Sequence, residues 1–261
     1  VAAAISALFA FKLEQLGFAQ ANLMVSLTFL VIIGTVTFQS LTARPLALWL
    51  GVAEDKNRGL LIIGANSVAR SIAIMLKSLG FNCLLTDSHW PNIRDARMDG
   101  LNVYYGHPIS DDADQRLDLV GMGRMIALSQ NDHLNVLAVQ RYQTEFGKDN
   151  CYTLMPNGQR ANSEKHGIAS AWRGRILFGK DVNYRSLLEL FNQGGKLHKT
   201  RLSDDFDFKD FQQKHQSDKV ILLFALNSKN EMLIFQQEIT FTPANGWTLI
   251  SLHLPQNGLT Q

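Results

Sequence analysis

Between Gln15 and Ala43 the chain carries no charged residue, whereas elsewhere charges recur every few positions. The run AQANLMVSLTFLVIIGTVTFQSLTA, residues 19–43, exceeds the roughly 20 residues that a helix needs to cross a bilayer. It is apolar around its whole circumference, so the pattern predicts a membrane-spanning helix rather than an amphipathic surface helix. Thr28, Thr35, Thr37, Gln39 and Ser40 are tolerable there, because hydroxyls and amides can bond to helix carbonyls or to a neighbouring helix. The competing reading is the buried helix of a water-soluble domain. A cleaved signal peptide does not fit, since the run is internal, overlong and without a basic start. The preceding VAAAISALFAF reads as the tail of another apolar helix, so the chain is expected to be a fragment of a larger membrane protein. Arg44, Lys56 and Arg58 follow the span while Lys12 and Glu14 precede it, which places the expected cytoplasmic side after about residue 52.

Beyond the linker Ala53–Arg58 the periodicity alternates. Strands are predicted at Leu60–Ile63, Asn82–Thr86, Val103–Tyr105, Arg124–Leu128 and Asn150–Leu154. Helices are predicted at Ser67–Leu79, from about Trp90 to Met98, near Asp111–Val120 and from about Asn131 to Phe146, the first marked by Val68, Ile72, Met75, Leu76 and Leu79 and stopped by Gly80. Strands separated by helix-length crossovers imply an α/β fold, a Rossmann-like doubly wound parallel sheet. Past about Asp181 the texture changes. TRLSDDFDFKDF, KVILLFALN, EMLIFQQE and GWTLISLHL suggest short strands with turns at NSKN and TPANG, hence a small α+β domain. The expected division is therefore 1–51 membrane helices, 52–180 Rossmann-like domain and 181–261 small domain.

Composition adds little to this. An apolar fraction of 46% suits a chain that buries a core, and 25 basic against 23 acidic residues give no pull toward nucleic acid. Cys83 and Cys151 lie in apolar runs and read as buried, reduced thiols. The seven histidines show no metal-ligand spacing along the sequence and read as surface or turn residues. No nucleophile with a partner base stands out.

The candidate chemistry lies at GLLIIGANSVARSIAIMLKSLG, Gly59–Gly80. A strand that turns sharply into a helix offers free backbone amides and the positive end of the helix dipole to a phosphate. Gly64 supplies the tight turn, and Ala65, Asn66, Ser67 and Val68 supply amides. Asn66 and Ala69 stand where a dinucleotide fingerprint carries its second and third glycines; Asn tolerates left-handed backbone angles, and Ala69 permits close packing. Asp87, at the end of the second strand, is placed to accept ribose hydroxyls, or is only a strand-end turn residue. Arg70 could reach a phosphate or face solvent, and Asp132 could cap its helix, touch a ligand, or both. Gly64, Asp87, Gly106 and Ser129–Asp132 are expected on one rim.

Two stretches carry a resemblance. VAAAISALFAFKLEQLGF with LTFLVIIGTVTFQSLTARPLALWLGV resembles the last two membrane helices of NhaP-type monovalent cation:proton antiporters, whose final helix runs into a Thr-Ala-Arg-Pro-Leu turn, here Thr42–Leu46. Gly59 to about Gly179 resembles the RCK or KTN nucleotide-binding domain. RGRILFGK, RLSDDFDF, LLFAL and GWTLISL are similar to the extension that follows it in those antiporters. The resemblance implies a non-enzymatic regulatory domain that senses NAD or another adenine nucleotide. It would act on an attached transport domain in the inner membrane, as a homodimer. Gly64, Asn66 and Ala69 would fall on the glycine motif, Asp87 on the ribose acid and Asp132 on the acid after the fourth strand, while His107 stands where the family often has Asp. The ion-binding carboxylates would lie in earlier helices. The alternatives are a membrane-tethered NAD-dependent oxidoreductase and a dimerisation scaffold with a vestigial site.

Overall fold

A computed structural model describes residues 2–18, 20–50, 58–156, 174–179, 181–216, 220–238 and 241–254. It divides into two units, Val1–Asp55 and Lys56–Gln261. The expected linker lies outside the described residues except for Arg58.

The first unit is a helix pair, α1 (Ala2–Gln15) and α2 (Ala21–Trp49). Ala10 and Ala21 are buried, and the Ser6 and Thr28 hydroxyl oxygens lie 3.1 Å apart between the helices, with Ser6 free to donate to Thr28. Within α2, Leu23–Ala47 is long and apolar enough to span a bilayer, and none of it is buried in the structure. Thr28 and Thr35 donate to the carbonyls of Met24 and Val31, so their hydroxyls are satisfied within the helix as the apolar setting demands. The expected turn at Thr42–Leu46 is absent: α2 runs through Pro45 to Trp49. Pro45 has no N–H to give the Leu41 carbonyl, but the ladder resumes with Leu50 N–H bonded to Leu46.

The second unit opens with alternating elements: β1 (Gly59–Ile63), α3 (Ser67–Ser78), β2 (Cys83–Asp87), α4 (Trp90–Met98), β3 (Asn102–Tyr105), α5 (Asp111–Arg116), β4 (Met122–Ala127), α6 (Asp132–Phe146), β5 (Cys151–Thr153) and β6 (Arg175–Ile176). All pair in parallel, in the order β3-β2-β1-β4-β5-β6. The helix expected to reach Val120 stops at Arg116, because Asp118 Oδ1 takes the Val120 N–H in a turn. β1 is buried along its full length, since both faces of the sheet are covered. Leu60 and Ile62 face α3, whereas Leu61 and Ile63 face α6.

The remainder comprises α7 (Tyr184–Asn192), β7 (Lys196–Arg201), α8 (Phe208–Lys214), β8 (Val220–Leu226), β9 (Met232–Ile234) and β10 (Thr248–His253). β7-β10-β8-β9 form an antiparallel sheet. The end of TRLSDDFDFKDF, read as strand-like, opens α8 instead, with Phe208–Phe211 in the helix. Asp207 accepts from the Lys209 and Asp210 amides, and Asp210 reaches back to the Asp207 N–H, a capping box. The two sheets are stitched together where Phe178 N–H donates to Phe235 and Gln237 N–H to Ile176. One apolar cluster runs from Leu60 and Ile72 through Leu177 and Leu187 to Phe224 and Ile250. Among the described residues, none of the three apolar clusters draws on α1 or α2, so residues 56–261 carry their own core.

Candidate nucleotide site

The strand order reverses between β1 and β4, and in open α/β sheets ligands sit beyond the carboxyl ends at such a point. At the end of β1, Gly64 turns the chain at φ +105°. A Cβ there would stand 3.1 Å from the backbone of Ser129, so both the angle and the close approach of the β4 end require glycine.

Asn66 then opens α3. Its backbone is extended (φ −66°, ψ 173°), so the left-handed tolerance expected of it is not what the turn uses. Its Oδ1 accepts from the Ala69 N–H at 3.0 Å as the helix cap, and its Nδ2 donates to the Leu128 carbonyl at 2.7 Å. The side chain is only 4% exposed, turned toward β4 rather than toward the approach of a ligand. Ala69 is fully buried under the helix, the close packing expected of a small residue.

Four amides were expected to serve a phosphate, and the structure divides them. The Ala65 N–H donates to Asp87 Oδ2 at 2.9 Å. No hydrogen bond among the described residues reaches the amides of Asn66, Ser67 or Val68. These are the unpaired donors of a helix start, aligned with its dipole.

Asp87 closes the other side of the turn. Besides Ala65, its carboxylate accepts from the His89 N–H at 2.9 Å and from Asn92 Nδ2 at 2.8 Å. Two oxygens with about four lone-pair positions leave one acceptor for a ligand. The turn-residue and ribose-acceptor readings are therefore compatible, with the first already realised.

At the end of β4, Ser129 is clamped by the buried Asn135, which accepts from its N–H at 3.0 Å and donates to its carbonyl at 2.9 Å. Asn131, not Asp132, caps α6, taking the His133 and Leu134 amides at 3.0 and 3.2 Å. Asp132 sits one residue inside, where its charge suits the helix start. Arg70 takes neither course expected of it: its guanidinium pairs with Asp99 at 3.0 Å and Asp95 at 3.5 Å on the neighbouring helix. Gly106 and the exposed His107 follow β3 on the same rim, with Gly106 N–H bonded to the Asp87 carbonyl.

Asn92, Asn135 and a pair from outside the parallel sheet were not foreseen. Gln130 Nε2 donates to Tyr184 Oη at 3.0 Å, bringing the start of α7 to the rim. Burial pushes the Tyr184 phenol up, the Gln130 bond opposes this, and the Asp87 charge adds to the rise. Asn92 had a usable signal, lying in the first turn of the helix after Asp87; the Tyr184 contact spans 54 residues and had none.

The histidines are less scattered than their spacing suggests. The His253 ring lies 4.7 Å from both His198 and His215, and its Nε2 is 2.7 Å from Ser251 Oγ. Among the described residues no group of three or more His, Cys, Asp or Glu has the arrangement of a metal site.

No curated protein matches the chain. Among solved structures it is similar to the GsuK RCK domain at 12% identity and a TM-score of 0.34, over 77% of this chain and 44% of that one. It is also similar to the GsuK channel bound to NAD at 15% identity and a TM-score of 0.35, over 77% of this chain and 36% of that one. A further GsuK channel structure matches at 14% and 0.35, over 92% of this chain and 47% of that one. The chain thus spans less than half the length of each of these structures, and likeness at that level assigns no function. Residues 60–168, which take in nearly all of β1 and the whole of β2 to β5, match the family model of the TrkA-N domain.

Proposed function

We propose that the chain is the regulatory region of a membrane cation:proton antiporter, with a TrkA-N domain that binds NAD or another adenine nucleotide at the β1 turn. The observation that carries this reading is the run of unpaired amides at Asn66, Ser67 and Val68. It faces the crevice where the strand order reverses, with Asp87 at the end of the adjacent strand. A phosphate would rest on those three amides and the α3 dipole, and a ribose hydroxyl would donate to Asp87. Asp132 lies across the crevice at the start of α6. Bound nucleotide would bias an attached transporter only through unequal affinity for two arrangements of the protein, which a homodimer supplies. In this reading 1–51 are the last membrane helices, 52–180 the nucleotide domain and 181–261 a small regulatory domain, with everything after about residue 52 in the cytoplasm.

A second reading, a dimerisation scaffold, gains support from Asp87: its three hydrogen bonds would hold the turn with no ligand at all. A thermal melt of residues 56–261 with NAD⁺, NADH, NADP⁺, ATP, ADP and AMP separates the two. Stabilisation by one nucleotide supports the sensor, and indifference to all six supports the scaffold. Turnover of NADH would instead indicate an oxidoreductase. In the full-length transporter, a Gly/Ser insertion within residues 51–58 is expected to uncouple nucleotide from flux, and undiminished control would count against this route.

A further inference from the structure

At the opposite end of the parallel strands from the nucleotide crevice lies a second cavity, of about 410 Å³, between the parallel sheet and the β8–β9 hairpin. Its position follows from its lining. Arg58 immediately precedes β1, Phe81 precedes β2, and Arg124 stands near the start of β4, opposite Leu60. All three therefore belong to the amino ends of the strands. The length of β1, five residues at about 3.3 Å each, separates them from the turn at Gly64. Met232 at the start of β9 and Trp247 before β10 supply the facing wall.

The chemistry of the lining is divided. Phe81 and Met232 are buried and Trp247 half-buried, giving flat and soft apolar surface. Among the described residues no ion pair joins Arg58 or Arg124 to an acid. Glu231 is the one acid in the lining, and it is held in the hairpin turn: Asn227 Nδ2 donates to its carboxylate at 2.8 Å, while Asn227 Oδ1 accepts its N–H at 2.8 Å. Two guanidiniums against one carboxylate leave an excess of positive charge beside aromatic walls. Small-molecule sites combine this size range, mostly apolar walls and a few convergent polar groups. Guanidinium forks suit carboxylate, sulfonate or phosphate oxygens.

We propose that this cavity binds a small planar organic anion. Arg58 and Arg124 grip its anionic oxygens, and Phe81, Met232 and Trp247 hold its body. The site is separate from the nucleotide crevice and does not depend on that crevice being occupied. Arg58 adjoins in sequence the stretch that joins the membrane helix to β1, so this ligand would engage the chain where the nucleotide domain begins.

The test uses residues 56–261, with naphthalene-1-sulfonate as a planar anion and naphthalene-1-sulfonamide as its uncharged counterpart, titrated by calorimetry. The sulfonate is expected to bind one equivalent, and the sulfonamide at least tenfold more weakly. Arg58→Gln and Arg124→Gln should each weaken the sulfonate about tenfold, and saturating NAD⁺ should leave its affinity unchanged. Arg58 is exposed, so its variant keeps the fold even if the Arg124 variant does not. Absence of saturable sulfonate binding, equal affinity for the sulfonamide, indifference to Arg58→Gln, or displacement by NAD⁺ would each overturn the proposal.

Discussion

Replacing Asp87 by Ala removes acceptors from two backbone amides and one side chain at once, Ala65 and His89 at 2.9 Å and Asn92 at 2.8 Å. Hydrogen bonds to a charged group are worth about 1.5–3 kcal/mol each when buried. Asp87 is half-buried, so water can replace part of each bond, and about 1 kcal/mol apiece, or about 2–3 kcal/mol in total, is the expected loss. For a unit of this size that is a fall in Tm of about 4–12 °C in the absence of any nucleotide. Asn92→Ala removes one partner and leaves the carboxylate, so about 1 kcal/mol is expected. The two variants then separate architecture from binding. A nucleotide at 100 times its Kd stabilises by about 2.7 kcal/mol. This increment should survive in Asn92→Ala and vanish in Asp87→Ala. The assay is a thermal melt of residues 56–261 with and without NAD⁺. An unchanged Tm for ligand-free Asp87→Ala would refute the structural argument, and an undiminished NAD⁺ response in that variant would refute the ribose role.

Asn66→Ala strips the α3 cap and leaves the Leu128 carbonyl without its donor, so urea melts should show a loss of about 2–3 kcal/mol, and Asn66→Asp should do no better, because it keeps the cap but sets a buried carboxylate oxygen against the Leu128 carbonyl. Gly64→Ala forces a side chain to φ +105° with its Cβ 3.1 Å from Ser129, at an expected cost of about 1–3 kcal/mol or more by the same assay. Burial pushes the Cys83 and Cys151 thiols up to about 12, so neither should react with a thiol reagent at pH 8 until the chain is unfolded. Because the folded state holds those protons more tightly than the unfolded state, their contribution to stability is present below about pH 9. It is lost as pH rises toward 12, and urea midpoints between pH 7 and 10.5 should fall accordingly.

How much the sequence revealed tracks how local each interaction is. The helix expected from about Trp90 to Met98 was legible because it lies between two strand-like runs, and the structure places Pro91 in its first turn. The parallel sheet was legible because buried strands read as apolar runs between helical periods. α8 was misread because Phe206 and Phe208 alternate as in a strand; the capping pair Asp207 and Asp210 was the better signal. The cap of α6 fell to Asn131 rather than its acidic neighbour, a choice between adjacent residues that spacing does not make. At the site, the turn at Gly64 and the position of Asp87 followed from short-range pattern. The loss of the Ala65 amide to Asp87, the reach of Asn66 to Leu128 and the Gln130–Tyr184 contact depend on elements brought together from 22, 62 and 54 residues apart. No local pattern encodes those.

The most direct measurement is an amide NMR titration of residues 56–261 with NAD⁺, following Asn66, Ser67 and Val68. Saturable shifts of those three signals, together with Asp87 and with loss of the effect in Asp87→Asn, are the predicted result. Signals that stay in place at millimolar NAD⁺, ATP and AMP alike would contradict a phosphate site at this turn.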